Sequence, residues 1–162
     1  MISERGRLSG VAIDLVSSFA PRLGPRFEPL VSIIIPALVK VLIRPNKIFV
    51  NRAQACLLLI IEHCHLPSIV PHLREAVKDK SQALRLAAIE ATLQVLEQFD
   101  KSLLEVREGS ALIKRHRGNV EDIESIVKDT ARDANPTVRQ VSRKVFEKYS
   151  EIWPERVEAY VI

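Results

Sequence analysis

The stretch Val77-Lys78-Asp79-Lys80-Ser81-Gln82-Ala83-Leu84-Arg85 recurs, type for type, as Ala131-Arg132-Asp133-Ala134-Asn135-Pro136-Thr137-Val138-Arg139. Each copy has an apolar residue, a base and an Asp, then four variable residues, then an aliphatic residue followed by Arg. Small or apolar residues then recur every three or four positions: Ala88, Ala91, Val95 and Phe99 after the first copy, Ser142, Val145, Tyr149 and Ile152 after the second. Self-similarity of this kind marks stacked helical hairpins. It moves the search for function from a pocket to a row of turns along one edge of a stack.

Working outward, the rest of the chain supplies the other helices. Leu8 to Ala20 reads as a helix with Val11, Leu15, Ser18 and Phe19 on one face, stopped by Pro21, Gly24 and Pro25. Phe27 to Ile43 carries Leu30, Ile34, Leu38, Val41 and Leu42 at helical spacing, with Pro36 removing a backbone donor in its middle. Arg44-Pro45-Asn46 breaks it. Ile48 to Cys64 buries Ala53, Cys56, Leu57, Ile60 and Ile61, and the next helix starts at Pro67 and runs to Lys78 with Ile69, Val70, Leu73 and Val77 inward. Leu84 to Phe99 is its partner. Residues 101–118 break the rhythm with dense charge and read as an insertion. Asn119 then caps a helix with Val120, Ile123, Ile126 and Val127 inward, and the last long helix runs from the Asp133–Pro136 turn to Trp153. The expectation is an all-α HEAT-repeat stack, residues 1–162 as one domain, with three full hairpins and one orphan helix at the start.

Composition agrees. Aliphatic residues and Ala dominate, aromatics are 5% and only five glycines interrupt. A net charge of +4 favours acidic partners without naming one. A nucleic-acid binder would show a denser basic stripe with stacking aromatics, so none is expected here. Cys56 and Cys64 lie about 12 Å apart along one helix, too far to pair, which suits a reducing cytosol or nucleus. No signal peptide opens the chain, and the apolar runs near Val31–Val41 and Cys56–Ile61 are shorter than a bilayer span, so no membrane is expected.

His63, Cys64, His65 and His72 match no zinc spacing, and packing and surface roles account for them. There is no phosphate-binding glycine loop, serine elbow or paired acid in an obvious pocket, so neither an enzyme nor a cofactor is expected. The turns are the better candidates. Asn46, Ser81 and Asn135 each stand where the second helix of a hairpin begins, as N-caps should. Lys47 and Lys80 lie beside them, and Arg85 and Arg139 sit one turn further on. For Asp79, Arg85, Asp133 and Arg139 two readings stand: bonds that lock adjacent repeats, or a face for a partner. The lysines differ, because a base in a first turn opposes the helix dipole and local stability does not favour it. Two of them along one edge argue for an external acidic surface.

The ordered set Leu23-Gly24-Pro25-Arg26-Phe27, Asn46-Lys47-Ile48, Ile60-Ile61-Glu62-His63, His65 to Pro71, Lys80-Ser81 with Leu84-Arg85, and Asp133 with Arg139 resembles the TOG domains of CLASP-type microtubule-associated proteins, most like the fungal members. The resemblance covers nearly the whole chain apart from 101–118. It implies a flat paddle that binds αβ-tubulin through the loops inside each hairpin, and so regulates microtubule stability. It further implies a place on cytoplasmic and spindle microtubules, including the nucleus during mitosis in a fungus. The matching positions are Asn46 and Lys47 in one loop, Lys80, Ser81 and Arg85 in the next, and Asn135 and Arg139 in the last. Such domains begin with a further hairpin whose loop carries a tryptophan. Here the loop before the first helix would fall near Ser3–Arg7 and Trp153 lies at the opposite end, so the chain reads as roughly the last two-thirds of a TOG domain. Two further expectations follow. The basic cluster Lys114–Arg117 gives an alternative role, a HEAT scaffold docking a non-tubulin acidic protein. The first helix, apolar on more than one face, should self-associate or fray.

Overall fold

The computed structural model describes residues 4–105 and 118–161. They form nine α-helices and no strand among the described residues: α1 (Glu4–Leu23), α2 (Glu28–Leu42), α3 (Lys47–Cys64), α4 (Val70–Ala76), α5 (Gln82–Gln98), α6 (Lys101–Glu105), α7 (Asn119–Thr130), α8 (Pro136–Ile152) and α9 (Pro154–Val161). The three hairpins are α2–α3, α4–α5 and α7–α8. One layer runs α1, α3, α5, α8 and the other α2, α4, α7, each helix packed on the next in its own layer. This is the all-α HEAT stack expected from the repeated phrase. The cluster Lys114–Arg117 lies outside the described residues.

The second helices form where the residue types dictate. Asn46, Ser81 and Asn135 have extended backbones, and their side chains accept from Ile48 N, Leu84 N, and Thr137 and Val138 N. Each thereby satisfies an otherwise orphaned first-turn donor. Helix α3 ends at His65, a left-handed residue (φ 51°) whose ring stacks on Phe99 with centroids 5.5 Å apart. Pro67 follows and opens a short 3₁₀ turn, so α4 proper starts only at Val70. Ala53, Cys56, Leu57, Ile60, Ile61, Ile69, Val70, Leu73 and Val77 are all buried, as the spacing requires.

Five expectations need correction. Helix α1 passes through Pro21 and ends only at Gly24, whose φ of +53° is the left-handed stop that glycine supplies without strain. Its N-terminal end takes in residues 4–7, which are helix and not loop. Its buried face is Gly6, Gly10, Ile13 and Ala20, packed on α3, while Leu8, Val11 and Leu15 are 71%, 65% and 61% exposed and Ser18 is exposed. Close approach decides this: a Cβ at Gly10 would sit 3.0 Å from the Arg52 guanidinium and 3.6 Å from the Phe49 ring, so Gly10 faces inward. In α2 the buried stripe is Val31, Ile35, Leu38 and Leu42, with Leu30 and Ile34 half-buried at its margin. Helix α7 begins at Asn119 itself, with Gly118 at the cap position and no side-chain cap bond.

The far end of the stack is held by a polar knot. Trp153 is 1% exposed; its indole donates to Glu105 Oε1 at 2.9 Å, and its ring lies 5.2 Å from that of Tyr149. Tyr149 Oη and Arg156 Nε (2.7 Å) both donate to Glu124 Oε1. Burial, then the bond to Glu124, pushes the Tyr149 phenol well above its ordinary range. Lys101 pairs with Glu155 at 3.0 Å and ties α6 to α9. These contacts seat the last helices without touching the turn edge.

Candidate functional site

The turns before α3, α5 and α8 lie at the same end of one layer, because each opens the second helix of its hairpin. Turns two and three are built identically. Asp79 Oδ1 accepts from Ser81 N at 2.7 Å, and Asp133 Oδ1 accepts from Asn135 N at 2.8 Å. Arg85 Nη1 donates to the carbonyls of Asp79 and Lys80, both at 3.0 Å. Arg139 Nη1 does the same to Asp133 and Ala134, at 2.6 and 3.0 Å. Each arginine therefore braces its own turn from one helical turn downstream.

Arg85 also reaches the next repeat. Its Nε donates to Asp133 Oδ2 at 2.7 Å and its Nη2 to Oδ1 at 3.2 Å, a fork-on-carboxylate pair with side chains 16% and 6% exposed. The hydrogen bond to Arg85 outweighs desolvation and holds the Asp133 carboxyl below its usual range; the same bond raises Arg85 further. The sequence left two readings for these four residues, a lock between adjacent repeats or a face for a partner. The structure brings Arg85 to Asp133, and gives each arginine the carbonyls, not the carboxylate, of its own turn.

Lys47 and Lys80 are exposed, and neither makes an ion pair among the described residues. Asn46 is exposed, while Ser81, Asn135, Arg85 and Arg139 are half-buried. The other guanidinium edge of Arg139, the one that Arg85 spends on Asp133, has no partner among the described residues. Neutral capping groups thus shape the turns, arginines brace them, and ammonium groups stand outermost. Such an edge can align an acidic surface by charge. Among the described residues no group of three metal-binding side chains gathers, and no helix is long and apolar enough to cross a membrane. His63, Cys64, His65 and His72 are divided between a helix end and α4, and both thiols are buried.

The sequence profile of the family described as CLASP N terminal matches residues 1–161. The chain belongs to that family. As a CLASP-type TOG domain it is similar to the protein stu1 of Aspergillus fumigatus, 32% identical over 157 residues, covering 95% of this chain and 11% of the relative. Protein stu-1 of Neurospora crassa is 30% identical over 155 residues, covering 95% and 13%. Protein STU1 of Chaetomium globosum is 28% identical over 162 residues, covering 98% and 14%. The chain therefore spans between 11% and 14% of the length of these relatives. The TOG stack seen here is the part it shares with them.

Proposed function

We propose that this TOG domain binds αβ-tubulin along the edge formed by its three turns, and thereby helps to regulate microtubule stability in the cytoplasm and spindle. The observation that carries the reading is the pair Lys47 and Lys80, exposed in the first turns of α3 and in the turn before α5, where their charge does nothing for the helices themselves. Lysines fixed on a rigid stack can be steered to an acidic surface and contact it without reorganisation. Asn46, Ser81 and Asn135 hold the three turns in shape, Arg85 and Arg139 brace them, and the open edge of Arg139 adds a third cationic contact. One such face binds modestly, and tethering to further domains would raise avidity.

The test is Lys47→Glu with Lys80→Glu. The double variant should lose binding to soluble tubulin in sedimentation or fluorescence titration while its melting temperature stays at the parent value, since both side chains are exposed. Binding equal to the parent protein, with helix content unchanged, would sink the assignment.

A further inference from the structure

Aligned on their caps, the first turn departs from the other two at the two positions that build the staple. Two residues before the cap stand Arg44, Asp79 and Asp133; four residues after it stand Val50, Arg85 and Arg139. The staple seen once, from the arginine of one turn to the aspartate of the next, runs from Arg85 to Asp133. One repeat earlier the same geometry would place a guanidinium at position 50, facing Asp79. Valine stands there. Arg44, in the aspartate position, turns the other way and donates to Ser9 Oγ of α1 at 3.1 Å. Among the described residues no hydrogen bond or ion pair crosses from the 44–50 turn to the 79–85 turn.

The first junction is tied further along its helices instead. Gln54 Nε2 reaches Ala87 O and Glu90 Oε2, both at 3.2 Å, and Gln94 Nε2 reaches Leu58 O at 3.1 Å. In the other layer α2 meets α4 more sparingly than α4 meets α7. A charge-assisted bidentate pair fixes direction as well as distance, whereas apolar packing and mid-helix amide bonds leave the free ends of two helices able to splay.

We infer that the edge has two mechanically different halves: a stapled unit of turns two and three, positioned by Arg85 and Asp133, and a compliant first turn that carries Lys47. The inference leans on the proposed tubulin contact only for what the edge meets; its mechanics belong to the protein alone. Lys80 and the third turn then form a fixed pair, and Lys47 adjusts its position relative to them.

The experiment is pulsed electron resonance between spin labels at the second helical position of each turn, introduced as Ile48→Cys, Ala83→Cys and Thr137→Cys in the whole chain without tubulin. All three sites are exposed, and the native thiols are buried. The 48–83 distance distribution should be broader than the 83–137 distribution. Val50→Arg should narrow the first and leave the second alone, and adding Asp79→Asn should undo that narrowing. Arg85→Gln should broaden only the second, which keeps the test decisive if the arginine at position 50 disturbs folding. Equal widths in the parent chain, or an Arg85→Gln distribution that does not broaden, would overturn the inference. Tubulin binding that survives Lys47→Glu with Lys80→Glu would remove the proposed function and leave these widths untouched.

Discussion

Replacing Asp133 by alanine tests the staple at its most buried point. The substitution removes both acceptors of the Arg85 fork and the acceptor of Asn135 N. The guanidinium left behind is 16% exposed, so water replaces the carboxylate poorly. Breaking a buried pair from one side costs about 3–5 kcal/mol; this pair is half-buried and Arg85 keeps two carbonyls on its other edge, which places the loss no higher than the lower bound, about 3 kcal/mol. For a chain of this length each kcal/mol is worth about 2–4 °C, so the melting temperature should fall by roughly 6–12 °C. Arg85→Ala should cost a similar amount, and the double variant should cost less than the sum, because the second change no longer strands a charge. The acid arm has a fixed sign. Since Asp133 is held below its usual range in the folded state, the pair's contribution is fully present above the unfolded value of about 3.9 and disappears as pH falls through the lower folded value. Urea unfolding followed by circular dichroism at neutral pH and in acid reads both effects. A neutral-pH loss below about 1 kcal/mol, the level of an exposed pair, would refute the reasoning, as would a gap between parent and variant that stays constant far into acid.

Trp153→Ala should destabilise the stack by about 3–5 kcal/mol in the same assay, since the ring is buried and its indole bond to Glu105 seats α6. Cys56 and Cys64 should resist a thiol reagent in the native protein at pH 8 and react together on denaturation, because burial raises both thiols, Cys64 to about 11. Leu8→Gln with Val11→Gln and Leu15→Gln should remove any concentration-dependent association seen in sedimentation without lowering the melting temperature, since these side chains are exposed in the folded chain. In dilute solution, hydrogen exchange over residues 8–20 of the parent should be faster than over 53–63; equal protection would contradict the expected fraying.

The helices legible in the sequence were those buried through large apolar side chains at one spacing. Ile60, Ile61, Leu73 and Val95 allow few other orientations, so α3, α4 and α5 read correctly. Helix α1 misread because hydrophobicity points to Val11 and Leu15, while close packing against α3 selects Gly10; a glycine leaves no hydrophobic signal even when it is the contact. The turns were legible because Asn46, Ser81 and Asn135 satisfy backbone donors a few residues away, a purely local requirement. The Arg85 to Asp133 bond was not, because it spans 48 residues and depends on the spacing of whole repeats. Its missing counterpart could have been noticed: Val50 and Arg44 stand where the phrase would place Arg and Asp.

Gly10 carries a consequence for how this domain can vary among its relatives. The same Arg52 guanidinium that lies 3.0 Å from the space above Gly10 is clamped by the Asp14 carboxylate. A side chain at position 10 pushes that guanidinium back by a few tenths of an ångström, and shortening Arg52 makes room at position 10 while leaving the exposed Asp14 carboxylate to water. Positions 10, 14 and 52 are therefore coupled through one guanidinium, and an alignment of related chains should show a side chain at position 10 more often where position 52 carries a shorter residue.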